Sequence, residues 1–205
     1  MTAPAVTAVI FDMDGVLCDY DRDVRIARMA EITGLEPAAI VAAIWDSGFD
    51  ERAYEGEFSA DEYLAETQRL LGWPITAEAW AAARRAGMTP KPDMLVLARE
   101  LRGRVTTACL TNNGPLMHRH MNAIFPEVPA LFGERMFFSS ELGVGKPAPA
   151  VFLKVLERIG GTPAQALFID DDAGYIAGAI EAGLRTHLYS ETAALEAELR
   201  RLGVL

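Results

Sequence analysis

The chain has 205 residues, 51% hydrophobic and 23% charged, and its 19 basic against 29 acidic residues leave a formal net charge of −10. This is the profile of a folded globular chain rather than a disordered one, and so negative a charge opposes binding to a nucleic-acid backbone. No apolar run approaches the roughly 18 residues of a membrane span.

The first apolar stretch, Ala3 to Phe11, lacks a basic flank and ends at Asp12, unlike a signal peptide. Within it Val6–Phe11 (VTAVIF) predicts a strand buried on both faces. From about Tyr20 to Pro90 no convincing strand follows. The pattern there predicts helices over Arg22–Ile32, Pro37–Asp46, Ala60–Leu71 and Ala77–Ala86, with Ser59 and Glu62 forming a capping box. Trp45, Trp73 and Trp80 all fall in this stretch and are expected to form its own core. Arg22, Trp45, Asp46 and Arg52 are its candidates for lining a substrate mouth.

Beyond Pro90 the alternation resumes. Helical patterns over Asp93–Arg102, Pro115–Phe125, Ala148–Ile159 and Tyr175–Ala182 alternate with apolar runs at Val105–Leu110, Met136–Phe138, Ala166–Ile169 and, more weakly, Thr186–Tyr189. Ala193–Leu202 reads as a surface helix. Strands alternating with helices predict an α/β fold: a Rossmann-like parallel-sheet core (residues 1–19 and 91–205) with a small all-helical cap domain (residues 20–90) inserted after the first strand. The insert is expected over the sheet's C-terminal edge, where open α/β sheets bind ligands. Cys18 and Cys109 have no metal-pair or redox-pair spacing, and a cytoplasmic chain without structural disulfides is expected.

Four short motifs follow the apolar runs. Asp12-Met13-Asp14-Gly15 leaves the first strand with two carboxylates that repel unless a cation lies between them or one is protonated; hard oxygen ligands suit Mg²⁺. A calcium loop also starts D-x-D, but its sixth position here is Leu17 rather than glycine. Thr111-Asn112-Asn113-Gly114 offers a hydroxyl and backbone N–H groups at a helix mouth, an anion site or an ordinary N-cap. Lys146, before Pro147, is a compact cation suited to phosphate, although a lone lysine is ordinarily a surface residue. Asp170-Asp171-Asp172 sets three carboxylates side by side, a repulsion that a metal relieves. In a parallel sheet these strand ends share one edge, which assembles a single cleft with an acid pair, a hydroxyl, a lysine and an acid cluster.

In FDMDGVL, LTNN, GKP and FIDDD the sequence resembles, over essentially its whole length, the haloacid dehalogenase-like hydrolase superfamily, with the helical insert matching that family's helical cap. Among its members the order and spacing are most similar to small sugar-phosphate phosphatases. The resemblance implies a phosphoric monoester hydrolase acting on a small phosphorylated metabolite. Asp12 would be the nucleophile that forms an aspartyl-phosphate, and Asp14 the general acid and base. Mg²⁺ would be held by the Asp12 carboxylate, the Asp14 backbone carbonyl and Asp171, with Asp170 assisting through a water. Thr111, the Asn112 backbone and Lys146 would hold the phosphoryl oxygens. Asp172 departs from the pattern and is expected either at the metal or capping the next helix.

Four other activities are weighed against the hydrolase. Dehalogenases lack the second aspartate, which Asp14 supplies here. A phosphonatase needs a cap lysine, and residues 20–90 contain none. A phosphomutase of the beta-phosphoglucomutase type shares the core but needs a second phosphate grip in the cap. A catalytically silent binding protein on the same fold is the fourth. The expected partner is a small-molecule phosphate ester, with no nucleic acid and no membrane, for a monomer or small homo-oligomer.

Overall fold

The structure is a computed structural model and describes residues 5–205. Its centre is a five-stranded parallel sheet in the order β5-β4-β1-β6-β7. The strands are β1 (Ala8–Phe11), β4 (Thr106–Thr111), β5 (Met136–Phe138), β6 (Ala166–Asp170) and β7 (Arg185–Leu188). A second, two-stranded sheet pairs β2 (Cys18–Tyr20) with β3 (Met88–Pro90). The helices are α1 (Arg22–Thr33), α2 (Pro37–Ile44), α3 (Phe49–Tyr54), α4 (Ala60–Leu71), α5 (Ala77–Ala86), α6 (Pro92–Leu101), α7 (Pro115–Ile124), α8 (Glu127–Phe132), α9 (Ser139–Leu142), α10 (Pro149–Ile159), α11 (Ala173–Glu181) and α12 (Thr192–Arg201).

The sheet buries both faces, which is why its strands read as continuous apolar runs. Successive side chains point to opposite sides: Val9, Phe11, Cys109, Leu167 and Ile169 face one core, and Ala8, Ile10, Ala108, Leu110, Ala166 and Phe168 face the other. The first of these cores runs without a break into the helical insert through Ile40, Ile44, Phe49 and Tyr63. The cap therefore rests on the sheet's own apolar layer: α4 and α5 pack on α7, and α3 packs on α9.

Within the insert the Ser59–Glu62 capping box forms, each side chain bonding the other's backbone N–H. Three features differ from the sequence reading. The stem of the insert is an antiparallel hairpin, with Asp19 opposite Thr89 and Tyr20 opposite Met88. Each strand has three residues, too few for an alternating pattern to register. Helices α3, α8 and α9 lie where the sequence pattern shows none, because four to six residues are too short for a 3.6-residue period to stand out. The tryptophans also part company. Trp80 is core, Trp45 is half-buried, but Trp73 is 43% exposed. It follows Gly72, whose left-handed conformation ends α4 and turns the chain off that helix's apolar face.

One close approach fixes the loop that carries Lys146. A Cβ on Gly178, in α11, would overlap the carbonyl of Pro147. Gly178→Ala is therefore expected to cost about 1–3 kcal/mol by urea unfolding. Gly103→Ala, with nothing within 4 Å of its Cβ position, is expected to stay within about 0.5 kcal/mol of the wild type.

Candidate active site

The register of the sheet sets the site. Phe11 pairs with Cys109 of β4 and with Ile169 of β6, so the residues that follow these three strands emerge beside one another. Asp12 continues the ladder through its N–H to the Ile169 carbonyl (2.9 Å) and is only 5% exposed. Thr111 and Asp170 close β4 and β6 and are buried.

Lys146 joins these ends. Its ammonium lies 2.7 Å from Asp12 Oδ1 and 2.7 Å from Asp170 Oδ2, beneath the Tyr175 ring at 4.5 Å from the centroid. The loop is held by Asn112, whose side chain donates to the Lys146 carbonyl (2.8 Å) and accepts from the Lys146 N–H (2.9 Å). Thus the Asn112 side chain positions the lysine rather than facing the centre of the site.

Asp14 turns to the other side. Its Oδ2 accepts from Arg84 Nη2 of α5 (2.5 Å) and from Asn113 Nδ2 (3.2 Å), and Asn113 Nδ2 also donates to Thr111 Oγ1 (2.7 Å). Its Oδ1 has only the weak Cys18 thiol at 3.7 Å. Asp171 is exposed at the rim. Asp172 caps α11, accepting from the N–H groups of Gly174 (2.7 Å) and Tyr175 (3.0 Å); of the two places the sequence leaves open for it, the helix cap is the one it occupies.

Burial dominates the electrostatics. It pushes the Asp12 carboxyl up to about 7, against the pull of Lys146 and with the push of Asp170 and Asp14. Burial likewise raises Asp170, with Lys146 acting against it. Lys146 is desolvated too, but the attraction of Asp12 and Asp170 outweighs that and holds it firmly protonated.

Asp12, Asp170 and Asp171 each present a carboxylate oxygen such that all three lie within 4.8 Å of one another. The donor set is all oxygen, which suits Mg²⁺. Gly15 makes room for it: a Cβ there would strike the Asp171 carboxylate, and its φ of 89° favours glycine. The Asp14 carboxylate faces Arg84 and Asn113, so Asp14 has only its backbone carbonyl to offer an ion. With Lys146 as the single cation bonded to Asp12 and Asp170, the residues fit a divalent ion well.

Beside Lys146 opens a cleft of about 770 Å³ between cap and core, lined by Glu51, Tyr54 and Glu55 of the insert and by Asn112, Lys146 and Tyr175. The candidate mouth residues lie elsewhere. Arg22 stacks on Trp45 (5.6 Å), Arg52 pairs with Glu57 (2.8 Å), and Asp46 is exposed. None of the four lines the cleft. The sequence reading also missed Arg84 and Asn113 as site residues. Arg84 is one of several cap arginines with no local mark to single it out, whereas Asn113 sits inside the Thr111–Gly114 motif and was open to recognition.

A profile of haloacid dehalogenase-like hydrolases matches residues 6–183. The chain is 26% identical over 188 residues to a D-ribitol-5-phosphate phosphatase of Bacteroides thetaiotaomicron, covering 87% of this chain and 89% of that protein. It is 27% identical over 195 residues to phosphatase MT3486 of Mycobacterium tuberculosis, covering 90% and 87%. Its fold superposes with a TM-score of 0.79 on a magnesium complex of a Bacteroides thetaiotaomicron enzyme of the same family, at 21% identity, over 94% and 99% of the two chains. The chain belongs to the haloacid dehalogenase-like hydrolases. Both of these relatives are named phosphatases, and the superposed enzyme is one solved with magnesium.

Removing the cation between two buried carboxylates leaves a charge uncompensated. Lys146→Met is expected to cost about 3–5 kcal/mol at pH 8. Asp12 and Asp170 both titrate above a free carboxyl, Asp12 near 7 against 3.8. The folded chain thus binds protons that the unfolded chain has lost, and stability falls as pH rises through that interval. The penalty of Lys146→Met is therefore expected to shrink at pH 5.5, where a proton replaces the missing cation. Urea unfolding of both proteins at the two pH values measures this.

Proposed function

We propose that Asp12 is the nucleophile of this phosphatase and Asp14 its proton carrier, on phosphate monoesters of small metabolites. The arrangement that carries this reading is the buried triad Asp12–Lys146–Asp170 at the sheet edge, with Asp14 held apart from it by Arg84 and Asn113.

In the first half-reaction an Asp12 oxygen attacks phosphorus. The new O–P bond forms as the bond to the leaving oxygen breaks, and the leaving oxygen takes a proton from Asp14. In the second, Asp14 takes a proton from water, whose oxygen attacks the acyl-phosphate and releases inorganic phosphate and the Asp12 carboxylate. Arg84 and Asn113 both bond Oδ2 of Asp14, which leaves Oδ1 as the atom that carries the proton. Lys146 and the Thr111 hydroxyl face the phosphoryl oxygens, where positioning and charge neutralisation supply most of the rate. Asp12, Asp171 and the Asp14 carbonyl, assisted by Asp170, would hold Mg²⁺, which would supply Lewis-acid neutralisation of the phosphoryl charge.

Residues 1–19 and 91–205 serve in this reading as the catalytic core and residues 20–90 as a cap that closes over it. Its substrates are small phosphorylated metabolites, and it works in the cytoplasm. No helix among the described residues is long and apolar enough to cross a membrane.

Hydrolysis of an aryl phosphate is expected to require Mg²⁺ and to stop with EDTA. Asp12→Asn is expected to abolish it, and Asp14→Asn to slow it about 10²–10⁴-fold. Acid quenching with a labelled substrate is expected to trap label on Asp12 in a hydroxylamine-sensitive form; hydrolysis without such a species would replace Asp12 attack by direct attack of water.

A further inference from the structure

Two guanidinium groups lie buried in the insert, and the reaction as derived uses only one edge of one of them. Arg84 and Arg25 are 2% and 4% exposed. Arg84 spends Nη2 on Asp14 and on Asn113, and its face lies over the Tyr20 ring, 3.8 Å from the centroid. Arg25, on α1, spends Nη1 on the Tyr20 hydroxyl (3.2 Å), and its face lies between Trp45 (5.2 Å) and Trp80 (5.0 Å). Tyr20 thus stands between the two, with one guanidinium on its ring and the other on its hydroxyl.

The remaining in-plane donors have no partner. Arg84 Nη1 and Arg25 Nε and Nη2 are buried and unbonded. Ring stacking occupies the flat faces of a guanidinium and leaves its N–H edges unmet. The nearby acceptors are already committed. Both oxygens of Asp50 are taken by the hydroxyls of Tyr54 and Tyr63, and Asp14 Oδ2 is taken by Arg84 and Asn113. No carboxylate among the described residues comes within salt-bridge distance of Arg25, whereas Arg84 has Asp14. The buried Asp50 carboxylate attracts Arg25 through space without bonding it, and buried donors without acceptors are a costly feature that a folded chain ordinarily does not keep.

From this we infer that Arg25 and the free edge of Arg84 form the leaving-group subsite, and that the preferred substrates are phosphate esters of short hydroxy acids whose carboxylate is received there. The subsite rests on the phosphatase reading, since it is Asp14, bonded to Arg84, that protonates the leaving oxygen. A carboxylate fits the excess better than a hydroxyl because it only accepts, and a guanidinium fork matches it bidentately. The free Nη1 of Arg84 belongs to the same guanidinium that bonds Asp14, so a carboxylate close to the leaving oxygen reaches it on a short carbon chain. Both guanidinium groups are enclosed, Arg25 by Tyr20, Trp45 and Trp80 of the insert itself, so the ester is received as the insert opens.

The test compares 3-phosphoglycerate with glycerol 3-phosphate, which replaces the carboxylate by a hydroxymethyl group. Wild-type kcat/KM with Mg²⁺ is expected to favour the acid at least tenfold. Arg25→Met, which keeps the stem between the two tryptophans, is expected to bring the ratio to within about twofold, chiefly through KM, and Arg25→Lys to restore part of it. Calorimetry on Asp12→Asn, which cannot turn substrate over, reads the same preference as binding. Preference there without hydrolysis by the wild type would retain the subsite and overturn the phosphatase reading. Equal affinity for the two esters, equal loss of both activities in Arg25→Met, or tighter binding of fructose 1,6-bisphosphate than of 3-phosphoglycerate would overturn the subsite.

Discussion

The ammonium of Lys146, equidistant from Asp12 and Asp170 at 2.7 Å, is the contact on which the catalytic edge depends. Three parallel strands deliver their C-terminal residues to one place, and two of those residues are buried carboxylates. Without a cation between them one would have to hold a proton or leave the interior. The lysine arrives from outside the three strands, on a loop fastened by two hydrogen bonds to Asn112 and pressed against Gly178. Motif two and motif three are therefore one mechanical unit: Asn112 places the lysine, and the lysine makes the buried carboxylates tolerable. A single positive charge does not balance both, and burial leaves Asp12 raised despite it. The residual negative charge at Asp12, Asp170 and Asp171 is what a divalent ion meets.

The second constraint is the separation of Asp14 from that centre. Two residues along from Asp12, it points to the cap, where Arg84 meets it from α5. Asp14 is thus bonded to a residue of the insert, while Asp12 is bonded only within the core. Its partner Asn113 also reaches Thr111, which ties Asp14 back to the end of β4. Since the apolar layer beneath the sheet continues into the cap, the seating of α4 and α5 on α7 and the placing of Arg84 against Asp14 are the same event.

What the sequence makes legible follows from where its signals lie. Three of the four motifs stand directly after a run of apolar residues that must be buried, and polar groups in that position call for a reason that adjacency alone exposes; Lys146 comes eight residues after Phe138, beyond α9. The parallel sheet was readable for the same cause, since strands buried on both faces leave continuous apolar runs. Arg84 was not readable because its partner is 70 residues away, and pairing at that distance leaves no local trace. The candidate mouth residues lie away from the cleft beside Lys146 for a related reason. Trp45 and Arg22 are exposed enough in character to suggest a rim, yet each satisfies the other by stacking, and the direction of a cap side chain depends on how five helices seat on the core.

The polar chemistry of the two halves of the molecule differs in kind. Around Lys146 two of the three ammonium donors already have carboxylate acceptors, and the geometry is assembled before any substrate arrives, as electrostatic preorganisation requires. Around Arg25 donors outnumber acceptors, and the deficit sits on a helix with no part in the chemistry at phosphorus. A finished centre on the sheet and an unfinished one in the insert divide the work. The core fixes what bond is broken, on any ester whose phosphoryl group fits beside Lys146. The cap completes its hydrogen bonds only with a leaving group that brings the missing oxygens, and closes best on that one. Selectivity then resides in the insert, and changing it requires no change at Asp12, Lys146 or Asp170.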